Sequence, residues 1–135
     1  MSRPAQLFLI TAIAYLGLGL LLHVIAMLDV WLGFNPLSYT SVSSMMQVLL
    51  IGWLTQSLMA LLYDRWVRSP RLVTIAWACL NVGLVLTIVG QPLLALTGSN
   101  LVGGLVAMGG LMQLVGGTAF ALDVARVIRA GRRTR

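Results

Sequence analysis

Apolar residues in this chain come in four long runs, not at the spacing of one helix face or one strand face. The runs cover residues 5–32, 42–66, 72–96 and 101–128, and few polar residues interrupt them. "GFNPLSYTS", containing Pro36, separates the first two runs. "VRSPR", containing Pro70, separates the next two, and "TGSN" at 97–100 precedes the last. Proline, glycine and small polar residues in such clusters mark turns. At 1.5 Å per residue, each run reaches the roughly 20 residues that cross a ~30 Å hydrocarbon core. The pattern predicts one all-α integral membrane domain, a four-transmembrane-helix antiparallel bundle, followed by a basic tail at 129–135. Connections this short make sequence neighbours antiparallel neighbours in space.

Composition agrees and removes alternatives. The chain has 135 residues, 59% of them hydrophobic and 9% charged, and a mean hydropathy of +0.97. Soluble domains carry about 25% charged residues, so this chain lacks the polar surface to cover itself in water. Cys79 is the one cysteine and has no intramolecular partner; it reads as a buried small hydrophobe. The formal charge of +6 does not point to nucleic acid, because all nine basic residues are arginines at the boundaries of apolar runs. They are Arg3, then Arg65, Arg68 and Arg71, then Arg126, Arg129, Arg132, Arg133 and Arg135. Four spans put all of them on one side, which the positive-inside rule makes cytoplasmic, with both termini there. Trp31, Phe34 and Tyr39 then mark the outer boundary, and Tyr63 and Trp66 the inner one. The first run is too long for a signal-peptide core and no small-residue cleavage site follows it, so it reads as an uncleaved span. The expected location is the bacterial inner membrane, with lipid as solvent and anionic headgroups as contacts of the arginines.

The fourth run has a pattern of its own. Gly103, Gly110 and Gly117 recur every seven residues, with Gly109 and Gly116 beside them. Glycine lets helix backbones approach closely in lipid. These five positions read as one smooth groove, packed internally or against another subunit, with Gly17 and Gly19 of the first run as a surface to face it. Gln47, Gln56, Asn81, Gln91 and Gln113 are amides inside the runs, where unpaired polar groups are disfavoured, so they read as interhelical contacts. At 3.6 residues per turn, Gln47 and Gln56 fall on opposite faces of their helix. Asp64 can pair with Arg65 or Arg68, and Asp123 with Arg126, at the inner interface. Asp29 falls at the outer headgroup level.

His23 is the single histidine. It reads first as a packed, hydrogen-bonded side chain, and otherwise as a ligand to haem b or a neighbour of a quinone headgroup. Met27 lies one turn on. No carboxylate stands in the middle of a run, which argues against a proton-coupled exporter. There is no second histidine, no Cys-x-x-Cys-His, no phosphate loop and no nucleophile–base pair, so an independent catalytic activity is not expected.

Three stretches between residues 45 and 129, "MMQVLLIGWLTQSLMALLYDRW", "RLVTIAWACLNVGLVLTIVGQPL" and "GGLMQLVGGTAFALDVARVIR", resemble the catalytic-subunit family of haem-copper oxidases and nitric oxide reductases, its cbb3-like branch above all. Gly52 and Trp53 match a glycine–tryptophan pair of that family, and Asn81 with Gly83 match its Asn-x-Gly pattern. Where the family places haem-ligand histidines, this chain has Met45 and Gln47. The resemblance therefore implies a shortened relative that kept the helix packing and lost the redox centre. Such a protein would be an accessory subunit or assembly factor of a respiratory or photosynthetic complex. A haem- or quinone-associated protein built on His23, with a homodimer supplying both ligands, is the alternative. A small transporter component is the third reading.

Overall fold

The structure, a computed structural model, describes residues 2–33, 38–66 and 70–132, and within these the side chains of residues 30, 38–41, 66, 131 and 132 lie outside the description. Phe34, Pro36, Arg68, Arg133 and Arg135 lie outside the described residues. All secondary structure among the described residues is helical: α1 Arg3–Leu32, α2 Ser38–Gln47, a π-helical segment Val48–Thr55, α3 Gln56–Trp66, α4 Pro70–Thr97 and α5 Asn100–Arg132. Four stretches are long and apolar enough to cross a membrane: Arg3–Asp29, Val42–Arg65, Pro70–Thr97 and Asn100–Ala130.

The boundaries follow local chemistry. Ser2 caps α1, its hydroxyl accepting from the Ala5 N–H at 3.4 Å, with Pro4 in the first turn. Gly33 ends α1 in the left-handed region at φ 66°, its N–H donating to the Asp29 carbonyl at 2.8 Å. Pro70, which breaks the second run in sequence, is the first residue of α4, a position where its missing N–H leaves no gap. Gly98 makes the left-handed turn between α4 and α5 at φ 61°. α5 continues to Arg132, so most of the predicted basic tail is a helical extension of the fourth span.

The chain forms two antiparallel hairpins. α1 runs against the second span, with Phe8 beside Tyr63, Tyr15 over Gly52, and Leu49 over Gly19. α4 lies along α5 in the closest pairing of the bundle. A Cβ at Gly83 would sit 2.5 Å from the Gly109 carbonyl oxygen, and one at Gly116 would sit 3.0 Å from that of Ala76. The hairpins meet where the second span crosses α4, and they share a core of Phe8, Met59, Tyr63, Val73, Ala76, Leu80 and Ala119 at the end where α1 and α4 begin. The outside is apolar: Ile10, Leu61, Leu101 and Leu111 are among many exposed large side chains, and Trp31 is 80% exposed.

Three expectations change. Gly19 packs on the second span and Gly17 has nothing within 4 Å, so neither faces the glycines of α5, because α1 is not a neighbour of that helix. Tyr63 is 2% exposed and turned into the core between Phe8 and Phe120, not placed as a boundary aromatic. Cys79 is half-buried. Trp31 is exposed at the end of α1, while the side chains of Tyr39 and Trp66 are not described.

Because α4 and α5 touch backbone to backbone, Gly83→Val is expected to destabilise the protein by roughly 1–3 kcal/mol through overpacking. Gly110→Val, on the open face, is expected to change stability by less than about 0.5 kcal/mol. Reversible unfolding in mixed micelles, followed by circular dichroism, measures both.

Candidate functional site

The second span winds unevenly, and this decides where its polar residues point. Buried side chains or backbone occur at Ser44, Val48, Gly52, Gln56 and Ala60, every fourth residue. An α-helix turns about 40° too far at each step of four and would carry this series round to the far side. The i→i+5 winding over Val48–Thr55 turns more slowly, about 80° per residue, and keeps the series on one face. Two local features fit it: Gly52 leaves room for the Tyr15 ring, and the Thr55 hydroxyl donates to the Leu50 carbonyl, five residues back, at 2.7 Å. The step from Gln47 to Gln56 is thus close to two turns, about one face and not two. Gln56 is fully buried, and the Gln47 Oε1 is buried without a partner. Gln47 therefore makes no interhelical contact through that oxygen.

Gln56 sits at the centre of a chain of hydrogen bonds that ties three spans together. The Asn81 Nδ2 donates to the Trp77 carbonyl at 2.7 Å, which leaves Asn81 Oδ1 to accept from Gln56 Nε2 at 3.1 Å. Gln56 Oε1 then accepts from the Thr11 hydroxyl at 2.5 Å. Thr11 also lies 2.9 Å from the Leu7 carbonyl, but its single proton goes to Gln56, whose amide nitrogen is already committed. A second link joins α4 and α5: Gln113 Nε2 donates to the Thr87 hydroxyl at 3.0 Å, and Thr87 donates to the Leu84 carbonyl at 2.9 Å. The Ser44 hydroxyl reaches Gln91 Oε1 at 3.4 Å, a weaker contact between the second span and α4. Gln56, Asn81, Gln91 and Gln113 are all interhelical contacts, as their sequence positions imply.

The glycines of α5 divide into two sets. Gly109 and Gly116 are buried against α4. Gly110 and Gly117 have no neighbour within 4 Å, nor does Gly104, and Gly103 has only Leu94 at 3.7 Å. The single groove expected from the sequence is two faces, because adjacent residues lie about 100° apart on a helix.

His23 is exposed on α1, and Met27 beside it is exposed too. Among the described residues no three His, Cys, Asp or Glu side chains gather to hold a metal. Arg65, Arg71, Arg126 and Arg129 are exposed and lie at the end of the bundle that holds Ser2, as does Arg3. The side chain of Arg132 is not described. At this end the Ser2 N–H donates to Asp64 Oδ1 at 2.8 Å, joining α1 to α3. Asp29 is half-buried with its Oδ1 unpartnered. The expected Asp123–Arg126 pair does not form: Arg126 is exposed, whereas Asp123 turns inward with neither carboxyl oxygen partnered. Nothing in the sequence distinguishes an inward from an outward aspartate so close to a run of arginines.

No protein-family model, curated protein or solved structure matches the chain. The motif residues behind the resemblance to haem-copper oxidase subunits have packing roles here. Gly52 seats Tyr15, Asn81 bonds to Gln56, Gly83 touches α5, and Met45 is buried while Trp53 is exposed.

The Gln56 chain makes a specific prediction. Gln56→Leu leaves Thr11 and Asn81 facing an apolar group and is expected to cost about 1–2 kcal/mol of stability. Adding Asn81→Leu is expected to cost less than the sum of the two single changes, which a double-mutant cycle in micelles measures.

Proposed function

We propose that this chain is a multi-pass membrane protein with a structural role, an accessory subunit or assembly factor that packs against other integral membrane helices. The observation that carries the reading is the division of α5. Gly109 and Gly116 are used within the bundle, whereas Gly110 and Gly117 lie on a face that none of the described residues covers. Gly110 and Gly117 are two turns apart on one side of the helix, and Ala121, also exposed, continues that side, so they form a patch of small residues on an otherwise bulky helix. In a bilayer, small residues bring a partner backbone close enough for dispersion and Cα–H contacts to hold it. The polar interior supports the same reading, since Gln56, Asn81, Gln91 and Gln113 bond across helices and hold them in register. The resemblance to haem-copper oxidase subunits makes a respiratory or photosynthetic redox complex of the bacterial inner membrane the first assembly to examine.

The exposed arginines support an orientation. Arg65, Arg71, Arg126 and Arg129 stand at one end of the bundle, and the positive-inside rule places that end, with both termini, in the cytoplasm next to anionic lipid. Fluorescent-protein fusions at either terminus are expected to glow in cells, and alkaline phosphatase fusions at the same points to be inactive; the reverse pattern contradicts the orientation.

The assembly is tested on tagged chain extracted in mild detergent from its native membrane and run on native gels. Wild type is expected in a larger species, and Gly110→Leu with Gly117→Leu is expected to release the folded chain at its own size. A wild-type chain that migrates alone sinks the proposal.

A further inference from the structure

The two sides of α4 are made differently. Its glycines, Gly83 and Gly90, are buried and turned to α5. The side turned away from the bundle has a Cβ at every position. Ile75, Val82, Val85 and Val89 are exposed there, with Ala78 half-buried between them. Alternating steps of three and four residues stack these side chains in one line along the helix.

Two grooves open on this side. One, of about 420 Å³, has Pro70, Arg71, Thr74 and Ile75 as its described lining. The other, of about 260 Å³, has Asn81, Val82, Val85 and Leu86. Both present mostly hydrocarbon, because the polar atoms at their edges are engaged elsewhere. The Thr74 hydroxyl donates to the Pro70 carbonyl at 3.0 Å. Asn81 spends its Nδ2 on the Trp77 carbonyl and its Oδ1 on Gln56. Isoleucine and valine hold a single χ1 rotamer on a helix, so the walls keep their shape and lose little entropy when covered. Among the described lining residues the one charge is Arg71, exposed at the first groove.

We propose that this side of α4 binds one anionic phospholipid, its phosphate on Arg71 and an acyl chain laid along Ile75, Ala78, Val82 and Val85. Length, charge and side-chain size select that occupant. Arg71 and Leu86 are about 22 Å apart along the helix, close to the ~15 Å of hydrocarbon in one leaflet with its headgroup layer added. The cation stands only at the end where a headgroup belongs, and a guanidinium matches a phosphate with two parallel hydrogen bonds. A protein helix packs closely in lipid over small residues, and this side offers Ala78 alone, whereas a flexible acyl chain follows a relief of branched side chains. The site rests on the membrane-spanning reading of the chain and is independent of what covers the glycines of α5.

The test places the full-length chain in nanodiscs of equal phosphatidylglycerol and phosphatidylcholine and counts the lipids it keeps when released into a native mass spectrometer. Wild type is expected to keep one phosphatidylglycerol in preference to phosphatidylcholine. Arg71→Gln is expected to weaken that retention about fivefold, and Arg126→Gln, at an exposed arginine of α5, to leave it unchanged. Ala78→Phe keeps the charge but raises a ridge across the chain's path, and is expected to weaken retention too. Equal retention of the two lipids, or equal losses in Arg71→Gln and Arg126→Gln, overturns the proposal. So does release of the lipid by excess inorganic phosphate, since an anion alone then holds the site. A polypeptide that stays bound in wild type and is lost in Ala78→Phe overturns it as well, because a protein helix then covers this side. A chain that does not enter the discs overturns the membrane-spanning reading and the site with it; one that enters and binds both lipids alike overturns the site alone.

Discussion

Backbone meets backbone where Gly83 on α4 faces Gly109 on α5, and the rest of the bundle is arranged around that contact. Between helices in lipid there is no water to expel, so burial supplies little of the drive that assembles a soluble bundle. Association falls to dispersion, which fades within an ångström of the ideal distance, and to hydrogen bonds that need their partners within about 3 Å. Removing the side chains at the crossing lets both operate at once. The same approach brings Gln113 within 3.0 Å of Thr87, a bond that bulkier residues at the crossing would hold apart.

The second hairpin uses different means for the same end. α1 and the second span also close over glycines, at 19 and 52, but here the side chains of Leu49 and Tyr15 fill the space and the backbones stay apart. Registry comes from Gln56, which grips Thr11 on one side and Asn81 on the other. The π-helical segment is what aims it. Without the slower winding over Val48–Thr55, Ser44 and Ala60 would not share a face, and Ser44 could not reach Gln91 while Gln56 reaches Asn81. A local departure from ideal helix geometry is thus the condition for a regular polar seam.

These two devices leave different kinds of surface. Among the described residues, the buried side-chain polar atoms without a partner are single atoms of Asp29, Gln47, Tyr63 and Trp77 and both oxygens of Asp123. Away from the arginine-bearing end the outside is mostly hydrocarbon, with the bare glycines of α5 and the exposed His23 among the breaks in it. The proposed role in assembly rests on the bare glycines of α5.

Much of this was legible in the residues. Long apolar runs, prolines and glycines at the turns, and amides inside the runs point to four helices, their order and most of the amides that bond between them. Each follows from a local rule: hydrocarbon length, exclusion of unpaired polar groups, or the φ angle of a turn. Direction around the helix axis was not legible. Whether Tyr63 and Asp123 face inward, whether Gly109 and Gly110 share a groove, and whether Gln47 and Gln56 share a face all depend on which helices are neighbours and how evenly each one winds. Close packing of whole helices sets those quantities together. A composition uniformly apolar on every side carries no amphipathic stripe from which to read them.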